Sequence, residues 1–290
     1  MPRILIAGCG YVGLATAELF QQNGWEVEGW TASNESAIQS AGRPFPVHAV
    51  DLTDRNAVAR AANDFDAVIQ CASSRGGGVE DYRRIYLESA RNLRAIFPQA
   101  PLLFTSSTSV YAQTEGEWVT EESAAEPQTE TARVLRATEE FVLGEGGMIA
   151  RLAGIYGPGR SALLRKFLDG TAVLDPNSHR YINQAHRDDI ASALYLLSTL
   201  FHDRKVVCDP KIRQIFNVSD NHPITQRECY EWLARRFHRP LPPAVPTIAS
   251  RRRGSSNKRV SSAKLQGFGW SPSYPTFQRA MAESVLRQPF

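Results

Sequence analysis

Long hydrophobic runs, a strong net charge and paired cysteines are all missing from this chain of 290 residues. No apolar stretch approaches the roughly 20 residues a membrane-spanning helix needs, so no membrane span is expected. The formal net charge is only +3, too little to argue for nucleic acid or an anionic membrane as a partner. Cys9, Cys71, Cys208 and Cys229 are scattered, with no C-x-x-C pair. That spacing argues against a zinc site or a disulfide and points to a reducing compartment, the cytoplasm by default. The apolar start is followed by no cleavage-site pattern, and its glycines suit a turn better than a signal peptide. Internal repeats and low-complexity segments are absent too. An apolar fraction of 42% and a charged fraction of 22% describe an ordinary globular chain, long enough for one large domain or two small ones.

The N-terminus is where positive information concentrates. Ile4, Leu5, Ile6 and Ala7 form a continuous apolar run, as in a parallel strand covered on both faces. Gly8, Gly10 and Gly13 follow in G-x-G-x-x-G spacing, and Val12, Ala15, Thr16, Leu19 and Phe20 give a helical stripe. A glycine turn between strand and helix is the context in which this spacing binds a dinucleotide. The first glycine makes the turn, the second admits the pyrophosphate, and the third lets helix and strand pack. The phosphates then meet the N–H groups at the helix start, here Tyr11 and Val12. The next strand, Trp25 to Trp30, ends on Thr31-Ala-Ser-Asn34, with no acid before Glu35. An acid near that point would bind the ribose hydroxyls of NAD, so Thr31 tilts the cofactor towards NADP, with NAD as the alternative. The bland alternative for Thr31 to Asn34 is a polar loop.

Further strands are expected at Pro46–Val50, Asp66–Ala72, Pro101–Thr105, Met148–Leu152 and Gln214–Val218. Helices are expected over Asp54–Ala62, Asp81–Ile96, from Thr131, over Ile190–Leu200, over Thr225–Phe237 and over Pro275–Arg287. This alternation argues for a doubly wound parallel sheet. The turn-rich Gly154-Ile-Tyr-Gly-Pro-Gly159 marks where the chain leaves that sheet. The expected division is a Rossmann-type dinucleotide-binding domain over residues 1–160, with 180–220 returning to it. A smaller C-terminal substrate-binding lobe takes 161–179 and 221–290, including a Pro-rich linker over Pro240–Pro246.

The order of motifs resembles an extended short-chain dehydrogenase/reductase of the NAD(P)-dependent epimerase/dehydratase kind. The series runs Gly8-Cys-Gly-Tyr-Val-Gly13, Asp51-Leu52, Asp66 to Ala72, Ser106-Ser-Thr-Ser-Val-Tyr111 and Arg151 to Gly159. It closes with His186 to Ala191, Phe216 to Ser219, and Asn257-Lys-Arg-Val260 with Leu265 to Trp270. The resemblance implies that Asp51 and Leu52 flank the adenine, that Ala72 and Ser73 lie beside the cofactor ribose and phosphates, and that Ser107 is the active-site serine. It also implies a nucleotide sugar as one substrate class, and a homodimer through the helices Asp81–Ile96 and Thr131–Leu143. His186 and Asp189 take a structural role, joining lobe to sheet.

One feature of that family is missing. Its acid/base pair is a Tyr and a Lys four residues apart, yet Pro127 and Glu139 as anchors place Thr131 and Leu135 at those positions. A threonine hydroxyl is a far weaker acid than a phenol, and leucine carries no charge. Proton transfer therefore falls to other candidates. Tyr111 competes with a reading as a core tyrosine, Glu130 with a helix-start carboxylate favoured by the dipole, and Ser107 with a strand-end cap. Arg160, Arg180 and Arg187 could clamp an anionic substrate, since guanidinium pairs bidentately with carboxylate or phosphate; surface arginines are the alternative. Arg251 to Arg253, with Lys258 and Arg259, read as a solvated loop. Three functions stay open: an NAD(P)-dependent oxidoreductase or epimerase with a reworked acid/base set, a non-catalytic NADP(H) sensor or regulator, and a lyase or isomerase using the nucleotide as a scaffold.

Overall fold

A computed structural model of the chain describes residues 1–74, 76–174, 179–202, 214–245 and 256–287. Its strands are β1 (Arg3–Ala7), β2 (Glu26–Thr31), β3 (Val47–Ala49), β4 (Ala67–Gln70), β5 (Leu102–Ser107), β6 (Trp118–Val119) and β7 (Met148–Leu152). The short strands β8 (Gly154–Tyr156), β9 (Tyr181–Ile182) and β10 (Gln184–His186) follow, then β11 (Ile215–Val218), β12 (Ile224–Thr225) and β13 (Arg259–Val260). The helices are α1 (Tyr11–Gln22), α2 (Asn34–Gln39), α3 (Arg55–Arg60), α4 (Val79–Tyr82), α5 (Ser89–Ile96) and α6 (Glu130–Gly144). After them come α7 (Ala162–Leu168), α8 (Arg187–His202), α9 (Gln226–Phe237), α10 (Ala263–Gly267) and α11 (Phe277–Glu283).

Seven parallel strands form the central sheet in the order β11-β7-β5-β4-β1-β2-β3. The strand order reverses between β1 and β4, and in such sheets ligands bind at the carboxyl ends flanking that point. Because alternate side chains point to opposite faces, β1 serves two cores. Ile4 and Ile6 pack with Phe20 of α1 and with Ile190, Leu194 and Leu197 of α8. Leu5 and Ala7 pack with Val58 of α3, Leu93 of α5, and Leu135 and Val142 of α6. That two-sided burial is why the strand reads as an unbroken apolar run. A third core, around Tyr156, Phe167, Leu233, Phe277 and Met281, belongs to the lobe.

After β7 the chain forms β8, which pairs in parallel with β10 outside the central sheet. The lobe's expected extent over 221–290 needs correction. Val260 packs into the core with Leu5, and Leu265 and Trp270 pack into the core with Ile4, so the segment from β13 to Trp270 returns to the sheet. Two local features were not expected. Thr31–Asn34 leads into a short helix, α2, capped by the Ser33 hydroxyl accepting from Ser36 N; it buries no residue and so leaves no apolar stripe to read. The expected Asp81–Ile96 helix widens to a π-turn over Arg83–Glu88. Buried Gln70, on β4, donates its amide to the carbonyls of Ile85 and Tyr86 at 3.3 and 3.0 Å. A side chain entering the helical ladder is a recognised cause of such a bulge. Cys208, Arg251 to Arg253 and Pro246 lie outside the described residues.

Candidate functional site

The carboxyl ends of β1, β2, β4 and β5 share one edge of the sheet, and the glycine turn bridges them. Gly8 N and Cys9 N donate to Trp30 O at 3.0 and 2.7 Å, and Cys71 N donates to Ala7 O at 2.7 Å. Gly8 has φ +109°, and a Cβ there would lie 2.2 Å from Ala72 N; a Cβ on Gly13 would lie 2.3 Å from Gly8 O. Packing therefore demands both glycines. Gly10 is different, because nothing lies within 4 Å of its Cβ position. It faces open space, bounded by the start of α1, whose first turn holds no acid. Leu14 N bonds back to Gly10 O at 2.8 Å, while the N–H groups of Tyr11, Val12 and Gly13 meet no acceptor among the described residues. Donors, the positive helix end and an uncovered glycine backbone make a cradle that fits a pyrophosphate.

The other expected cofactor residues stand around this edge. Thr31 is buried at the end of β2, and its carbonyl accepts from Val50 N at 2.8 Å. Glu35, the next acid, is drawn to Gln39 on α2. Asp51 turns its carboxylate into its own loop, accepting from Thr53 N and Thr53 Oγ1 at 2.9 and 2.8 Å. Leu52 packs in the core with Trp30. Ala72 contacts the glycine turn through Gly8, and Ser73 follows it, exposed.

The structure separates the three arginines. Arg160 and Arg187 each stand 5.2 Å from the ring centroid of Tyr11, in the glycine motif itself. Tyr11 donates its hydroxyl to Pro158 O at 3.0 Å, tying the 157–160 turn to the start of α1. Arg180 belongs to a different group. Its neighbour Tyr181 donates its N–H to Asn257 Oδ1 at 2.9 Å, which sets the Arg180 segment beside Lys258. Lys258 is only 7% exposed, so the solvated loop expected there is not what forms. Its ammonium donates to Tyr111 O at 2.9 Å and to Ser256 Oγ at 3.2 Å. Burial, then the nearby Arg180 charge, lowers the Lys258 pKa to about 8, with Glu117 opposing. Asn183 links this group to the sheet, donating to Lys258 O at 2.9 Å and accepting from Gly154 N through its carbonyl at 2.9 Å. Arg259 stacks on Trp118 and Tyr181.

Among the acid/base candidates, the geometry sorts roles. Tyr111 is 1% exposed, and its hydroxyl lies 2.9 Å from both Thr120 O and Asn217 Oδ1 while accepting from Arg151 Nη1 at 2.9 Å. With acceptors and a cation already around it, and its pKa raised chiefly by burial, Tyr111 is held as a core tyrosine and is removed from the proton-transfer set. Glu130 is exposed and paired with Arg133 on the first turn of α6, which is the helix-start role. Thr131 is half-buried beside the N-cap Thr129, their hydroxyls 3.4 Å apart. Leu135 lies in the core. Ser107 caps the short turn after β5, accepting from Ser109 N at 3.2 Å, and keeps its own proton to donate.

Sequence reading missed a buried polar chain behind these groups. Ser106 donates to Glu139 Oε1 at 2.6 Å, and Arg151 spans Glu139 and Tyr111. An arginine inside an apolar strand was the available signal, since a buried charge requires a buried partner. Glu121 completes the chain, accepting from Asn217 N at 2.7 Å.

Comparison with known proteins agrees with this geometry. The NAD dependent epimerase/dehydratase family matches residues 4–173. Protein YeeZ of Escherichia coli K12 is 31% identical over 211 residues, spanning 68% of this chain and 73% of YeeZ. A solved structure from Methylobacillus flagellatus, provisionally described as an NAD-dependent epimerase/dehydratase, is 26% identical with a TM-score of 0.77, over 97% of this chain and 96% of that one. UDP-glucose 4-epimerase of Thermus thermophilus, in complex with NAD, shares the fold at 22% identity and a TM-score of 0.77, over 97% and 96% of the two chains.

Proposed function

The chain belongs to the NAD dependent epimerase/dehydratase family, and on that premise we propose an oxidoreductase or epimerase-like protein that prefers NADP and acts on a sugar-like or carbonyl substrate with a non-standard acid/base set. The observation that carries the reading is the open cradle at Gly10, next to a β2 end that offers Thr31 and no carboxylate. A ribose-binding acid would repel the extra phosphate of NADP, and its lack favours that cofactor over NAD. When bound, the nucleotide supplies hydride exchange. Ser107 donates a hydrogen bond to the substrate at the end of β5. Arg180 and Lys258, held side by side through the Tyr181–Asn257 bond, supply positive charge for an anionic substrate such as a nucleotide sugar.

A second reading, a nucleotide-binding sensor without turnover, draws on a specific observation: Leu135 fills the core, and Tyr111, the alternative proton donor, is engaged by Arg151. Fluorescence titration with NADPH and NADH tests the cofactor, and tighter NADH binding would overturn the NADP preference. Incubation with nucleotide and a panel of nucleotide sugars and simple carbonyl compounds tests turnover. Any hydride exchange removes the sensor; none across the panel favours it. We further propose a reducing cytoplasm as the compartment, and pairing of two copies through the helical segments 81–96 and 131–143. Sedimentation as a monomer at micromolar concentration would remove the dimer.

A further inference from the structure

We infer that Arg160 and Arg187 form a clamp on the cofactor's pyrophosphate, so that the anion they hold belongs to the nucleotide and the substrate charge is left to Arg180 and Lys258. The inference rests on the dinucleotide reading above. Its geometric basis is the convergence of two guanidinium groups from distant parts of the chain on one residue of the glycine motif. Arg160 closes the turn Gly157–Arg160, whose backbone groups exchange hydrogen bonds at 2.9 and 3.0 Å. Arg187 opens α8, which packs along α1, so the two helices start side by side. Both guanidinium carbons stand 5.2 Å from the Tyr11 ring centroid.

The arrangement is built rather than incidental. Gly157 has φ +154°, and a Cβ there would lie 2.6 Å from the Tyr11 hydroxyl and 3.2 Å from Arg187 Cβ. A side chain at 157 would thus push the turn off Tyr11, and the hydroxyl's bond to Pro158 O pins the turn in place. Arg187 donates Nε to Asp188 Oδ1 at 2.8 Å, which fixes the plane of the guanidinium. Its terminal nitrogens have no acceptor among the described residues. Two cations held against one aromatic ring repel each other, and an anion between them and the uncovered N–H groups of α1 relieves that repulsion. A pyrophosphate carries two negative groups, and the forked guanidinium matches its oxygens.

The test is a binding titration with ADP-ribose, which carries the pyrophosphate without the nicotinamide, beside adenosine, which carries no phosphate. Wild type, Arg160→Ala, Arg187→Ala and the double variant are compared, with circular dichroism and thermal melting to establish folding. Each single variant is expected to weaken ADP-ribose binding about 10-fold or more, as for a lost charge-assisted hydrogen bond. The double variant should lose more, with a flatter salt dependence, and adenosine binding should not change. Unchanged ADP-ribose affinity in the folded double variant would overturn the clamp, as would an equal loss for adenosine. If alanine unfolds the chain, Arg160→Lys and Arg187→Lys keep the charge and remove the fork; undiminished ADP-ribose affinity there would overturn it too. Wild type that binds neither ADP-ribose nor NADPH defeats the cofactor reading itself, a result distinct from failure of the clamp.

Discussion

Arg151 of β7 and Glu139 of α6 are joined by two parallel hydrogen bonds, Nε to Oε1 at 2.9 Å and Nη2 to Oε2 at 2.6 Å, with both side chains buried. The pair ties α6 to the sheet, and through Ser106 and Tyr111 it holds the segment carrying Ser107. Replacing Arg151 with Met alone should leave the buried Glu139 carboxylate with only the Ser106 hydroxyl and the longer Arg136 contact at 3.5 Å, and lower unfolding free energy by about 3–5 kcal/mol. Replacing both, as Arg151→Met with Glu139→Leu, should recover most of that loss, because no buried charge then remains unpaired. Chemical denaturation of the two variants checks this; equal losses would mean the pair is not the unit of stability.

The three motif glycines should behave differently when each becomes alanine. Gly8→Ala and Gly13→Ala place a methyl against backbone at 2.2 and 2.3 Å, so both should destabilise the fold. Gly10 has φ −100° and open space at its Cβ position. Gly10→Ala should melt within a few degrees of wild type but lose NADPH affinity, since the methyl enters the pyrophosphate's approach. Thermal melting with fluorescence titration separates the two effects.

Tyr111→Phe removes a hydroxyl that sits among Arg151, Asn217 and Thr120. It should cost about 1–3 kcal/mol of stability, the range for buried partners left unsatisfied. In any turnover assay established for this protein, its rate per folded molecule should stay near wild type. Ser107→Ala should do the reverse, with little effect on melting and a loss of turnover.

His186 and Asp189 oppose each other in acid. Burial, offset by Asp188, lowers the His186 pKa from 6.5 to about 4, so the unfolded chain takes up that proton first and stability falls as pH drops through this window. Burial raises the Asp189 pKa from 3.8 to about 6, against the two backbone bonds from Ser273 and Tyr274, so stability rises as pH drops through that window. Between pH 6 and 4 the two contributions offset each other. Asp189→Asn should lower stability overall, because one of the two N–H donors loses its acceptor. It should also expose the His186 limb, so that unfolding free energy falls by about 1.4 kcal/mol more per pH unit than in wild type. Denaturant titrations at several pH values between 6 and 4 check the slope.

Much of this was legible in order along the chain where the signal is local. The apolar run of β1, the glycine spacing and the stripe of α1 are adjacent in sequence, and backbone geometry converts them directly into strand, turn and helix. That no tyrosine is followed four residues later by a lysine was legible for the same reason, being a matter of spacing along the chain. Exposed α2 was not legible, having no buried face, and neither was the π-turn, whose carbonyls accept from Gln70 of the remote strand β4. Lys258 shows the limit most clearly. Among its basic neighbours it reads as solvated, yet folding buries it against the carbonyl of Tyr111, 147 residues away.

A parallel α/β sheet with a dinucleotide turn follows from the order of residues alone, because strand and helix periodicities and glycine conformations are properties of neighbouring residues. Which charges meet is set by packing between remote segments. That packing paired Arg151 with Glu139, brought Arg160 and Arg187 together on Tyr11, and set Arg180 beside Lys258. Those partnerships depend on burial and on distances between segments remote along the chain, and no local pattern encodes either.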